Sequence, residues 1–270
     1  MSDRAAMAAG APAPLLELQH VGIRFGGLRA VDDLGFAVAD GQIVGLIGPN
    51  GAGKTTVFNL ITGVYRPGEG RILWHGRDIA GQAPYRIARA GIRRTFQTIR
   101  LFAHMTVLEN VIAGMHPQMR QRWWQGLLRT RFQRREERDV AQHAMEVLER
   151  LALTEVADHI VTSLPYGAQR RVEIARTLIA RPELVIFDEP AAGLNEQESA
   201  DLTRTIRTIR DDGITVLLVE HDMSVVMNVS DRVVVINFGK KIAEGTPAEV
   251  RDDPVVVEAY LGREDEEAAA

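Results

Sequence analysis

The segment Gly48-Pro49-Asn50-Gly51-Ala52-Gly53-Lys54-Thr55 constrains this chain more than any other stretch. Two glycines enclose four residues and are followed by Lys-Thr. An apolar run over 42–47 reads as a strand before them, and 56–62 reads as a helix after them. Strand, glycine turn and helix in that order build a cradle. The glycines let successive N–H groups curl inward at a helix N-terminus, where the helix dipole also favours negative charge. The ligand expected there is a chain of phosphates. Asn50, Gly51, Ala52, Gly53, Lys54, Thr55 and Thr56 are the candidate contacts. Lys54 has the length to reach β- and γ-phosphates, and the Thr55 hydroxyl suits Mg²⁺. The motif predicts a nucleoside triphosphate site.

Bulk properties narrow the classes. The 270 residues carry 36 acidic against 32 basic side chains, a net charge of −4, which argues against nucleic acid as a partner. The absence of cysteine excludes disulfides, thiolate metal sites and cysteine nucleophiles. A chain 46% hydrophobic and 25% charged has the composition of a soluble globular protein able to bury a full core. No apolar run approaches bilayer length. Residues 1–14 are Ala/Pro-rich without a long apolar stretch, so they read as a disordered lead rather than a secretory signal. The acidic residues 263–270 read as a loose tail.

Residues 43–47, 184–187 and 215–219 are continuous apolar runs, the pattern of parallel strands buried on both faces, and 233–236 is a fourth candidate. Asn195 is placed to cap a helix with Leu202, Ile206 and Ile209 on one face and Gly213 at its end. Thr246-Pro247-Ala248-Glu249 joins a capping box to a proline in the first helical position, and Thr106-Val107-Leu108-Glu109 repeats the box. Alternating segments at 15–24, 34–38 and 71–75 predict a small antiparallel sheet. From about 98 to 180 the pattern is helical and lacks a strand. The expected fold class is α/β: a P-loop NTPase (RecA-like) core with a parallel sheet, a small antiparallel β subdomain and an inserted α-helical subdomain. It is expected to form one domain over 15–262.

Phosphoryl transfer needs a second metal ligand and a group to activate water. Leu184-Val185-Ile186-Phe187-Asp188-Glu189 offers both: Asp188 emerges from a buried strand as a Mg²⁺ ligand, and Glu189 is suited to take a proton from attacking water.

Taken in order, several motifs resemble those of the ABC-type ATPase family over roughly 15–262. They are Arg24-Phe25-Gly26-Gly27, the phosphate loop, Gln97 after Arg94-Thr95-Phe96, and Leu164-Pro165-Tyr166-Gly167-Ala168-Gln169-Arg170-Arg171. The Asp188-Glu189 strand end, Ala191-Ala192-Gly193-Leu194-Asn195 and His221 after Glu220 complete the set. The resemblance implies ATP with Mg²⁺, Phe25 stacking on adenine, and Gln97 as Q-loop residue, metal contact and catalytic group. It implies His221 as the switch histidine beside Lys54 and Glu189, and a degenerate signature whose Gly167 meets ATP held by a partner chain. Tyr-Gly-x-Gln-Arg-Arg, Ala-Ala-Gly-Leu-Asn, an arginine-rich insert and the ending Gly239 to Pro247 then Tyr260-Leu261-Gly262 are similar to the ATPase subunits of branched-chain amino-acid importers (the LivG type). That likeness implies a second ABC ATPase subunit as partner, distinct from this chain, with self-pairing possible in isolation. It also implies two integral-membrane permease subunits docking near 97–109, an extracytoplasmic solute-binding protein acting indirectly, and a peripheral place on the cytoplasmic face of the membrane.

The signature departs from pattern: Pro165 stands at the usual serine, Tyr166 at a glycine, and Asn195 at the usual aspartate. Residues 120–138 hold Trp123, Trp124 and seven arginines against Glu136 and Glu137, which fits either a solvated helix or a membrane headgroup contact. Two other functions stay open: the ATPase of a lipopolysaccharide-export-like transporter, and a soluble ABC ATPase acting on ribosomes or DNA. Lacking a second ATPase domain and long coiled coils, the chain fits the soluble class least.

Overall fold

The computed structural model describes residues 14–95, 97–115, 131–220 and 223–267. The apolar runs are strands. β3 (Ile43–Ile47), β7 (Leu184–Asp188) and β8 (Thr215–Val219) are buried at every position, and β9 (Arg232–Asn237) at its four central ones. With β6 (Ile92–Arg94) and β10 (Lys240–Gly245) they form a six-stranded sheet in the order β10-β9-β3-β8-β7-β6. All pairs are parallel except β10 with β9.

Burial on both faces follows the two-residue period of a strand. Ile43, Ile47, Val185, Phe187, Val216, Leu218, Val233 and Val235 face one hydrophobic cluster. Their neighbours Val44, Leu46, Leu184, Ile186, Leu217, Val219, Val234 and Ile236 face another. The first cluster packs on α3 (Val107–Ala113), α4 (Arg131–Arg150), α5 (Tyr166–Leu178), α6 (Glu196–Asp211) and α7 (Met223–Val229). The second packs on α1 (Lys54–Ile61), on α2 (Pro84–Arg89), and on a separate antiparallel sheet. That sheet runs β2 (Leu28–Val38), β1 (Leu16–Phe25), β4 (Glu69–Trp74), β5 (Arg77–Asp78). The expected parallel core, antiparallel sheet and helical insertion are all present.

Local chemistry sets the helix ends. Thr106, Asn195 and Thr246 each accept a hydrogen bond from the amide three residues on, and Glu109, Glu198 and Glu249 return it, completing three capping boxes. The last opens α8 (Pro247–Arg251), with proline in its first turn. Leu202, Ile206 and Ile209 form the buried stripe of α6, and Gly213 ends it at φ 86°.

The structure departs from expectation at one end. α9 (Pro254–Glu267) continues beyond Gly262 into the acidic segment expected to be loose. β6 and β10 were not expected either, because Ile92-Arg93-Arg94 and Lys240-Lys241 lack an apolar run. As edge strands they need only one partner each. The lead, apart from Pro14, and the tryptophans of the arginine-rich insert lie outside the described residues. Among the described residues no helix is long and apolar enough to cross a membrane.

Candidate nucleotide-binding site

Register places the candidate residues at one edge. Leu46 and Asp188 both pair with Val219 from opposite sides, so β3, β8 and β7 end level. The phosphate loop, the Asp188-Glu189 pair and the segment after Val219 therefore leave the sheet together. Ligands of open parallel sheets gather outside such carboxyl ends.

The loop needs its glycines. Gly48 adopts φ 156°, and a Cβ there would lie 2.0 Å from the Ile236 carbonyl oxygen. Gly53, the N-cap of α1, adopts φ 106°, where a Cβ would come 2.6 Å from the Ala30 carbonyl oxygen. The buried Ala52 accepts from the Gly239 amide at 2.9 Å, so the β9–β10 turn braces the loop from behind. Lys54 is only 7% exposed, and its ammonium donates to the Gly48 and Pro49 carbonyls at 2.5 and 3.0 Å. Thr55 is exposed and Thr56 half-buried on the first turn of α1. A tight loop that excludes side chains at Gly48 and Gly53, with a buried captive cation, suits a polyanion.

Phe25, at the end of β1, stays 43% exposed and stands edge-on to Tyr65 with ring centres 5.1 Å apart. An exposed aromatic edge of this kind can stack a planar base. Behind the loop, burial pushes the Tyr260 phenol up to about 12, with the Gly48 backbone amide opposing, so α9 packs against the loop with a neutral hydroxyl.

Asp188 is 6% exposed and pairs with Arg94 at 2.6 Å. Strand register explains the pair: Arg94 lies opposite Ile186, two residues before Asp188, and so on the same face of the sheet. Arg94 also donates to Asn59 of α1 at 2.7 Å. Neither Arg94 nor Asn59 was foreseen as part of the site. The Thr55 hydroxyl and Asp188 carboxylate are hard oxygen donors of the kind Mg²⁺ takes. Among the described residues no three acidic, histidine or cysteine side chains gather as a metal cage.

Glu189 adopts φ 46°, a backbone state that costs a non-glycine residue on the order of 1–3 kcal/mol. Its amide donates to the Val219 carbonyl at 2.9 Å, which holds the turn. Gln97 donates to the Glu189 Oε2 at 2.7 Å. Two candidates separated by 92 residues thus meet. Glu220, fully buried, accepts from the Ala191 amide at 2.6 Å and ties the segment after Glu189 to the end of β8. His221 and Phe96 lie outside the described residues.

The signature segment lies elsewhere. Pro165 is the N-cap of α5 without a side-chain cap bond, and Tyr166 donates to the Ala192 carbonyl at 3.3 Å. A Cβ on Gly167 would come 2.5 Å from Glu198 Oε1, so α5 abuts the capped start of α6. The contacts of Tyr166 and Gly167 run to Ala192, Gly193 and Glu198, not to the phosphate loop of the same chain.

A phosphate cradle at the carboxyl edge of a parallel sheet, with a strained acidic turn beside it and a helical insertion carrying its own exposed helix start, defines a P-loop ATPase of the cassette class. The ABC transporter family model matches residues 31–192, and a model described as branched-chain amino acid ATP-binding cassette transporter matches 240–266. The chain belongs to the ABC transporter family, as an ATP-binding, ATPase member. It is 48% identical over 250 residues to the high-affinity branched-chain amino acid transport ATP-binding protein BraF of Pseudomonas aeruginosa, covering 92% of this chain and 98% of that one. It is 46% identical, with the same coverage, to LivG of Escherichia coli K12, which carries the same description. Among solved structures it resembles MJ1267, an ATP-binding cassette of an ABC transporter, in its ADP conformation. That match has a TM-score of 0.82 and 33% identity over 93% of this chain and all of that one.

Proposed function

We propose that this chain is the ATP-hydrolysing subunit that powers membrane import of branched-chain or similar amino acids. The observation that carries this reading is the 48% identity to BraF along nearly the whole of both chains. The separate match of 240–266 to a branched-chain-specific model supports it and weighs against a lipopolysaccharide-export-like role.

The site chemistry follows from the residues. Phe25 stacks the adenine. The amides of Asn50, Gly51, Ala52 and Gly53, with Thr56, wrap the phosphates, and the Lys54 ammonium moves its hydrogen bonds from its own loop to β- and γ-phosphate oxygens. Thr55, Asp188 and Gln97 would hold Mg²⁺, which when bound would neutralise phosphate charge and steady the leaving group. Glu189 takes a proton from water, with Gln97 fixing its carboxylate and His221 aligning the γ-phosphate.

Because Gly167 sits apart from its own loop, it serves ATP held by a second ABC ATPase subunit, which completes each site. In the importer that partner is a related, distinct chain, and isolated chains are able to self-pair. The pair docks on two integral-membrane permease subunits at the cytoplasmic face, and an extracytoplasmic binding protein delivers the substrate.

Proteoliposomes containing the assembled transporter should take up labelled leucine, isoleucine or valine only with internal ATP and binding protein present. ATP-dependent uptake of an unrelated solute, with none of these three, would refute the substrate assignment.

A further inference from the structure

α5 carries an ion pair that the reaction described above does not use. Arg170 and Glu173 are each 1% exposed, three residues apart and 2.8 Å from one another. Burying both charges is expensive, and such a pair is weak evidence for stability, because apolar residues of similar volume often serve as well. Burial pushes the Glu173 carboxyl above its usual range, against the pull of Arg170, Arg176 and the Arg100 backbone. The second arm of Arg170 shows where the pair acts. Its Nη2 donates to the backbone carbonyl of Gln97 at 2.9 Å, and the side chain of Gln97 donates to Glu189 at 2.7 Å. A continuous path therefore runs from the acidic turn through Gln97 and Arg170 to Glu173. Arg170 lies one helical turn beyond Gly167.

We propose that Arg170, anchored by Glu173, is a positioning residue that fixes the Gln97 backbone so that its side chain meets Glu189. One helix then sets both the signature presented to the partner's nucleotide and the geometry of the catalytic water in its own site. The inference rests on the roles proposed above for Gln97 and Glu189. A planar guanidinium suits the task because one rigid fork spans both acceptors, which an ammonium cannot do.

The test compares the full-length chain with Gln97→Ala, with Arg170→Met/Glu173→Leu, and with the triple variant. The paired apolar change avoids stranding one buried charge. Thermal melts, nucleotide affinity by fluorescent ADP titration, and steady-state Mg·ATP hydrolysis are measured for each. The paired variant should keep its melting temperature and nucleotide affinity while kcat falls roughly tenfold, about 1.4 kcal/mol. The triple variant should be no slower than Gln97→Ala, because Arg170 acts only through that residue. Arg170→Lys, which keeps a positive charge against Glu173, should lose kcat in the same way and guards against a misfolded paired variant. Normal turnover in the paired variant and in Arg170→Lys, or losses that multiply in the triple variant, overturn the positioning role alone. Normal turnover in Gln97→Ala overturns the role of Gln97 and this inference with it.

Discussion

Lys54 gives up nearly all contact with water and is held by two carbonyls of its own loop, so its charge is already aimed when a nucleotide arrives. In the proposed role the ammonium would exchange these neutral acceptors for anionic ones, and hydrogen bonds to charged groups contribute about 1.5–3 kcal/mol. Lys54→Ala should weaken ADP and ATP binding roughly 10- to 100-fold by calorimetry with magnesium. Affinity within a factor of two of the parent would refute a phosphate contact. Lys54 was legible in the sequence because a short contiguous motif encodes both the loop and its cation. Arg94 and Glu220 were not. Arg94 meets Asp188 through the register of β6 on β7, and Glu220 meets the Ala191 amide in the turn after β7, contacts between distant segments that the local sequence does not mark.

The helices divide by how their ends are encoded. Two capping boxes, at Thr106 and Thr246, and the Asn195 cap could be read from the sequence, because their hydrogen bonds close within one turn. The start of α6 has a second task, since Glu198 completes the box on Asn195 and also fills the space beside Gly167. Asn195→Ala should lower unfolding free energy by about 1 kcal/mol in urea titration. It should also slow turnover, because the surface supporting the signature loosens; an unchanged midpoint would remove the cap from the account. α5 is a contrasting case. Pro165 brings no hydroxyl and no N–H to its start, and α5 relies on packing of Val172, Ile174 and Ala175 into the core. β6 escaped notice for a related reason, as its three residues are held by pairing with β7 rather than by their own apolar character.

In the function proposed above, the cradle of one chain and the signature of a second enclose the same ATP. Glu189→Gln should still bind ATP, lose turnover by about 10²–10⁴-fold, and elute as a dimer with ATP but not ADP in size-exclusion chromatography. A variant that hydrolyses at the parent rate would exclude Glu189 as the base. The sequence by itself determined the class of fold, the phosphate loop, the strand that ends in Asp188 and the capped helices, because these depend on neighbours in the chain and on short periodicities. Tertiary structure alone decided which distant groups touch: Gln97 on Glu189, Arg94 on Asp188, Arg170 on the Gln97 backbone. Those contacts follow from strand order, register and helix docking, and they exist only once the sheet closes and excludes water from both faces.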